Sequence, residues 1–513
     1  MILLFCIFIF SVLTTLIHHI HMFQLNSYSA DTQIKWVLNH KTELVVPGIA
    51  LVCSAYFTCL EFVAWTKVLT MLLFLIWGIR NVRKKAKKKL VYTPRVIRML
   101  ISNMIIVTMC SILAFTFIEY MWFPVLESTY LFMVPIVLIF SNWINAPIER
   151  LINLRYINEA KSILKEATNL KIIGVTGSYG KTSVKYFLAS LLQSRYDVLK
   201  TPGNYNTILG VVKTIREMYS PINQIFVCEM GARRVGEIKE ICDLVHPDAG
   251  IITAIGPQHL ETFKTLEHIK ETKFELANSL KPSSYLFLNG DDENVIGFPH
   301  SNTAIIFGIQ NHDGYYADHI TVNEKGSKFM LHTPNGEQEL FSTSLLGHHN
   351  VLNIVGAIAV AHTFDIPLKD LVVRVRKLEG AEHRLQFIRN QNGAIIDDAY
   401  NSNPQGTKAA LEVLSMFDGI KILVTPGMVE LGVQEEELNY SFGQDAAKVC
   451  DYIVLVGEAQ TQPIYKGIIS VGYPKEKVYV ASSFNDAMQS ANSFCEEGRK
   501  KYILIENDLP DNY

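Results

Sequence analysis

The chain has 513 residues, 49% of them hydrophobic, and a formal charge of −2. That length holds about two to four domains; near neutrality excludes a general attraction to nucleic acid, and the hydrophobic share is high for a wholly soluble enzyme. Eight cysteines with no CxxC pair exclude a disulfide or zinc framework and read as small buried hydrophobes in a reducing compartment.

In chain order, the opening "MILLFCIFIFSVLTTLI" has no basic leader and no small-residue cleavage site before the histidines at 18, 19 and 21, so a retained first helix is expected. Leu44 to Ile79 would form a helix of roughly 54 Å, too long for one crossing of a hydrocarbon core of roughly 30 Å. Glu61 and Lys67 interrupt it, so two short spans with a hairpin between them are expected. Residues 99–118 and 128–148 carry no charge, and each is long enough for a further span. Residues 80–98 hold nine Lys or Arg and no acid, which places this loop on the cytoplasmic side by the positive-inside bias. Taken alone the block resembles a nucleic-acid patch, but apolar stretches flank it on both sides; attraction of anionic lipid headgroups is compatible with the topology. Five spans would put everything after Pro147 in the cytoplasm, so residues 1–150 are expected to be a multi-pass cell-membrane domain.

After Pro147, short β-branched runs alternate with amphipathic stretches, the pattern of an α/β domain. "IIGVTGSYGKTS" follows this pattern from strand to helix. Val175 stands where the general phosphate-loop pattern wants its first Gly, so the strict motif fails. The working parts remain: Gly177 and Gly180 let backbone N–H groups around Ser178, Tyr179 and Ser183 face phosphate oxygens, Lys181 reaches the β and γ phosphates, and Thr182 suits Mg²⁺ at a helix start. "IFVCE" is an apolar strand ending in Glu229, where a carboxylate beside such a loop belongs as a Mg²⁺ ligand; a solvated strand-end acid is the plainer alternative.

The loop variant with "TG" ahead of "xxGKT" resembles the Mur ligase family. "TPGNYNTILG" (201–210), "EMGARRVGEI" (229–238), "ITAIGPQHLETF" (252–263), "LNGDDENV" (288–295), "LLGHHNVLN" (345–353), "EHRL" (382–385), "DDAYNSNP" (397–404) and "GMVELG" (427–432) follow in the family's order. They look most like the branch that adds D-alanyl-D-alanine to the UDP-N-acetylmuramoyl tripeptide. The likeness covers about residues 170–460.

The resemblance implies an ATP-dependent ligase with Mg²⁺. It makes His259 a second-metal ligand and Lys273 a carbamylated lysine holding that metal, with Lys270 one helical turn away as a possible confusion. It assigns Asn289, Arg384, Asp398, Tyr400 and Asn401 to ATP contact or to closing the carboxy-terminal domain, while leaving His349, Asn350 and Asn353 either ligands or helix-end packing. Three departures accompany it: membrane spans stand where the UDP-sugar domain would be, Thr207 replaces a second Asn, and "YILIENDLPDNY" lacks a "KGSR"-like finish. The expected architecture is therefore a polytopic helical membrane domain (1–150), a phosphate-loop central domain (151–378) and a smaller α/β domain (379–513). The expected activity is amide ligation through an acyl phosphate on a peptidoglycan precursor, either UDP-linked or lipid-linked. A ligase for another amide-linked surface polymer such as poly-γ-glutamate, or a non-catalytic ATP-binding scaffold, stays open.

Overall fold

The computed structural model describes residues 2–60, 63–83, 88–117, 122–390, 392–400, 402–495 and 498–508. Its contacts divide the chain into two compact units, one built on Met1–Arg155 and the other comprising Tyr156–Leu509.

The first unit is helical: α1 (Ile2–Leu25), α2 (Ala30–Asn39), α3 (Thr42–Cys59), α4 (Val63–Arg83), α5 (Pro94–Phe117) and the start of α6 (Phe123–Glu166). Among the described residues three segments are long and apolar enough to cross a membrane, namely Phe5–Leu25, Pro94–Ile112 and Val125–Glu166, against the five spans expected. The shortfall lies in α3 and α4. Helix α3 has only 18 residues and contains Pro47 and Glu43, and α4 carries Lys67, Arg80 and Arg83. The break between them falls where the hairpin was expected, although Glu61 itself is outside the described residues. The basic stretch is less of a loop than its composition implied, because Arg80 and Arg83 close α4 while Arg95 and Arg98 belong to α5. Arg98 forks onto Glu149 with nitrogens at 2.8 and 2.7 Å, and Arg95 donates to Asn142 at 3.0 Å, so two of the nine cations tie α5 to α6.

The second unit holds two sheets. Strands β1 (Lys171–Thr176), β2 (Val198–Lys200), β3 (Ile225–Glu229), β4 (Ala249–Ile252), β5 (Tyr285–Asn289), β6 (Ala304–Gly308), β7 (Tyr315–Asn323), β8 (Gly326–His332) and β9 (Gln338–Thr343) form one sheet in the order 2-3-1-4-5-6-7-8-9. It is parallel from β2 to β7, then antiparallel. Continuous apolar runs such as β3, buried at every position, suit parallel strands covered on both faces. Strands β10 (Gln386–Asn390), β11 (Gly393–Asp398), β12 (Ile420–Thr425), β13 (Tyr452–Val456), β14 (Val478–Ala481) and β15 (Lys501–Glu506) form the second sheet in the order 10-11-15-12-13-14. In both sheets the chemistry-bearing residues cluster beyond the carboxyl ends of the strands, the usual ligand crevice of open α/β sheets.

All eight cysteines are free; Cys228, Cys242 and Cys450 are buried as expected, but Cys6, Cys59, Cys110 and Cys495 are exposed. The first three of these lie on outward faces of the apolar helices, where hydropathy alone cannot separate inside from outside.

Candidate nucleotide and metal site

Strand β1 ends at Thr176, and α7 (Lys181–Leu192) starts after four intervening residues, so Gly177 to Gly180 must turn sharply. Gly177 has φ 147°, and a Cβ there would lie 2.2 Å from Thr253 Oγ1 and 2.9 Å from the Ala254 carbonyl. Gly180 has φ 78°, and its Cβ would meet Asn353 Oδ1 at 2.6 Å. Only glycine fits either place without rearrangement. The loop's side chains hold its shape: Ser178 Oγ donates to the Gly256 carbonyl at 3.0 Å, and Tyr179 Oη donates to that of Pro257 at 3.1 Å. Ser183 is half-buried in the first turn of α7.

Lys181 folds back over the turn, donating to the carbonyls of Gly177 at 2.6 Å and Ser178 at 2.8 Å. Burial lowers its ammonium to about 8, with Glu229 opposing the shift and Arg384 adding to it. Glu229, 1% exposed, accepts from Thr182 Oγ1 at 3.2 Å and Asn206 Nδ2 at 3.1 Å, while Lys185 Nζ pairs with its other oxygen at 2.7 Å. This rules out the solvated strand-end reading.

Lys185, 0% exposed, also donates to the Gly203 carbonyl at 2.5 Å. The motif reading missed it. A signal was present: Lys185 shares the buried face of α7 with Val184 and Leu188, an unlikely place for an unpaired lysine. The segment 201–207 wraps Glu229, since Thr201 Oγ1 also accepts the Glu229 N–H at 3.1 Å. Thr207, the departure noted above, caps the helix Ile208–Met218 by accepting from Gly210 N.

Lys273 lies buried on the helix Leu266–Ser279, and burial, reinforced by Lys181, lowers its ammonium to about 7. Lys270 instead pairs with Glu267 at 3.5 Å, which separates the two lysines that the sequence leaves confusable. His259 takes a left-handed backbone at φ 53° and meets Glu430 with Nδ1 2.5 Å from its carboxylate. That hydrogen bond holds the Glu430 carboxyl below its ordinary range, and Arg233 reaches its other oxygen at 3.7 Å. His259 is thus a clasp to the smaller domain through a residue of the "GMVELG" segment.

Asn289 is committed to the fold, donating to the Thr253 carbonyl at 2.8 Å and accepting from Asp291 N at 3.0 Å. Arg384 stacks over Tyr400 at 4.2 Å, and Asp398 accepts the Leu385 N–H at 3.1 Å. Asn401 lies outside the described residues. In the helix His348–Thr363, Asn350 donates to the Leu346 carbonyl at 2.9 Å, a packing role; Asn353 faces Gly180; and burial lowers His349 to about 4.

Thr182 Oγ1 and Glu229 Oε1 at 3.2 Å are spaced like neighbouring oxygens of an octahedral Mg²⁺, about 3 Å apart for bonds of about 2.1 Å. Two protein oxygens beside a phosphate cradle suit a cation that otherwise keeps water and phosphate ligands. Among the described residues no group of three His, Cys, Asp or Glu converges to hold a metal, so His259 and Lys273 do not complete a second site as free side chains.

A glycine turn between a buried parallel strand and a helix, with this carboxylate at the next strand's end, defines an α/β protein of the phosphate-loop type. Residues 175–361 match the Mur ligase middle domain, and residues 383–505 match the Mur ligase glutamate ligase domain. The UDP-N-acetylmuramoyl-tripeptide--D-alanyl-D-alanine ligase of Bacillus subtilis (strain 168) is 36% identical over 288 residues, 55% of this chain and 62% of that protein. The enzyme of the same name from Escherichia coli (strain K12) is 30% identical over 310 residues, covering 58% and 67%. The crystal structure of MurF ligase from Thermotoga maritima in complex with ADP superposes with a TM-score of 0.62 at 25% identity, covering 69% of this chain and 80% of that one. The chain belongs to the Mur ligase family. It spans only 62% of the B. subtilis relative, and the matched domains begin after the apolar helices.

Proposed function

We propose that this chain is an ATP-dependent ligase that activates a substrate carboxylate as an acyl phosphate and joins it to an amine, acting on peptidoglycan precursors at the cytoplasmic face of the cell membrane. The observation that carries the reading is the assembly of Lys181, Thr182 and Glu229 around the glycine turn, with buried Lys273 in electrostatic reach of Lys181. The likeness to a MurF ligase crystallised with ADP supports it.

ATP would supply the phosphoryl group, with Mg²⁺ offsetting its charge. The residues' work follows from their places. Lys181 lies over the turn as a cation for terminal phosphates, and Thr182 with Glu229 offers the metal ion two oxygens. A lysine lowered to about 7 is largely neutral near physiological pH, the form that adds CO₂. A carbamate on Lys273 would set an anion opposite Lys181 and, with His259, supply the second metal position that the unmodified side chains do not complete. Arg384 and Tyr400 come from the smaller domain toward the same turn.

The membrane part of the proposal is supported by the three long apolar segments and by their outward apolar side chains. A bilayer-held ligase would meet a lipid-linked substrate at raised effective concentration. The test is phosphate release by the detergent-solubilised full chain with ATP, Mg²⁺, D-alanyl-D-alanine and either a UDP-linked or a lipid-linked muramoyl tripeptide. Release that depends on both substrates and vanishes in Lys181→Ala supports ligation; release with neither substrate stimulating it rejects ligation.

A further inference from the structure

At the carboxyl ends of β11 and β15, Asp398 and Glu506 stand opposite each other in register on neighbouring parallel strands. Glu506 is 0% exposed and Asp398 9%. Ser402 Oγ donates to Glu506 Oε1 at 2.7 Å. Among the described residues Glu506 Oε2 has no donor to accept from, and Asp398 holds the facing position on β11. Two buried carboxylates at facing positions repel when both are charged, and a proton held between them removes that cost.

Asp398 also faces the turn that carries Arg384. Its Oδ1 accepts the Leu385 N–H at 3.1 Å, and neighbouring Asp397 takes His383 Nδ1 at 2.7 Å. His383 and Leu385, on either side of Arg384, have φ of 57° and 48°. Left-handed backbone at such residues persists only where surrounding contacts over-determine it. Here those contacts are the two aspartates and the Tyr400 N–H, which donates to the His383 carbonyl at 3.3 Å. The turn in this shape sets Arg384 over the Tyr400 ring at 4.2 Å.

We infer that Asp398 and Glu506 share one proton and, as a pair of single negative charge, hold the 383–385 turn so that Arg384 is aimed at the phosphate loop, making Glu506 a positioning residue for the nucleotide site. The inference rests on the nucleotide reading proposed above only for what Arg384 is aimed at. The charge count favours one proton: a monoanion matches the single guanidinium, whereas a dianion would bury an uncompensated charge. Burial raises both carboxyls above their ordinary range, Arg384 opposes this at each, and Asp397 raises Asp398 further. The other titratable groups at the turn are His383, held by Asp397, and Tyr400, under Arg384. Glu506 lies within the final segment that lacks the family-like finish, so no motif marked it.

The test uses the full chain in detergent, with ADP affinity measured by calorimetry and amide hydrogen exchange followed at 383–385. Glu506→Ala removes the pair; ADP binding should weaken about tenfold, and the Leu385 amide should exchange faster. Glu506→Gln keeps the Ser402 bond and gives Asp398 an N–H donor that does not titrate. It should bind ADP like the parent near neutral pH. In the parent, affinity should fall as the pH drops through about 6; in Glu506→Gln that fall should move to higher pH, because Asp398 exchanges the carboxylic O–H that stabilises its charge for a weaker amide donor. Unchanged affinity and exchange in Glu506→Ala, or a pH profile of Glu506→Gln that superimposes on the parent's, would overturn the inference. ADP binding that is absent, or that survives Lys181→Ala, would instead reject the nucleotide reading, and the exchange measurements would still decide whether Glu506 holds the turn.

Discussion

On the helices of the first unit the outward side chains are apolar, with Ile105 54%, Ile136 62% and Trp143 70% exposed, while its interior joins Ser54 to Thr70 and Ser128 at 2.8 and 3.0 Å. The second unit does the reverse. Its core around Phe187, Ile251, Phe287 and Ile358 is apolar, and the carboxylates Glu229, Asp398 and Glu506 are buried at strand ends. Interior hydroxyls linked to one another, beneath an apolar surface, are what helices need when the surrounding solvent is itself apolar. The same amino acids thus serve packing in one unit and chemistry in the other, and burial of a polar group means different things in each.

The comparison is tested most severely at the phosphate loop. Lys181→Ala should reduce phosphate release by about 10²–10³-fold, the scale for losing a charge-stabilising donor, without lowering the unfolding temperature, since the amine bonds only two loop carbonyls. Glu229→Ala should abolish activity and also destabilise the protein by about 3–5 kcal/mol, because it leaves Lys185 buried without its partner. Thermal unfolding of both variants separates them; equal stability would mean that the Lys185 pair contributes little.

In the first unit, Ile105→Arg should cost about 2.5–3.5 kcal/mol of membrane insertion, read as loss from alkali-washed membranes. Leu340→Arg, at a position 57% exposed in the second unit, should change stability by no more than about 0.5 kcal/mol. Equal tolerance of the two would remove the contrast and, with it, the case for a bilayer.

The narrowest expected effect, confined to acid pH, is at His349. Its folded value of about 4 lies below the ordinary 6.5, so the unfolded chain takes up the proton first. The contribution is fully present above 6.5 and is lost as the pH falls toward 4. His349→Gln should flatten that slope by on the order of 1–3 kcal/mol relative to the parent, measured as unfolding midpoints across this range.

What the sequence disclosed was local. The glycine turn, Lys181 and Thr182 lie within six residues of one another, and Glu229 is marked by the apolar strand it ends. The α/β alternation showed the second unit for the same reason, since periodicity is a short-range property. The hidden parts depend on distant partners: Lys185 meets Glu229 44 residues away, and His259 meets Glu430 171 residues away. Helix α2 has ten residues and was passed over, being too short for its pattern to register. Of the five spans expected, three have the length and composition of a crossing among the described residues; α3 has only 18 residues, with Glu43 and Pro47 near its start.

The Lys185–Glu229 pair also limits how this site could change over generations. Replacing either residue alone leaves the other as a buried, unmatched charge, so single substitutions lead through an unstable protein. A neutral pair of similar volume would restore the packing once both changes were made, but not the oxygen that Glu229 offers a cation, and no order of making them one at a time avoids the loss of stability. The strand end and the helix face are therefore tied as one hereditary unit, even though 43 positions separate them along the chain.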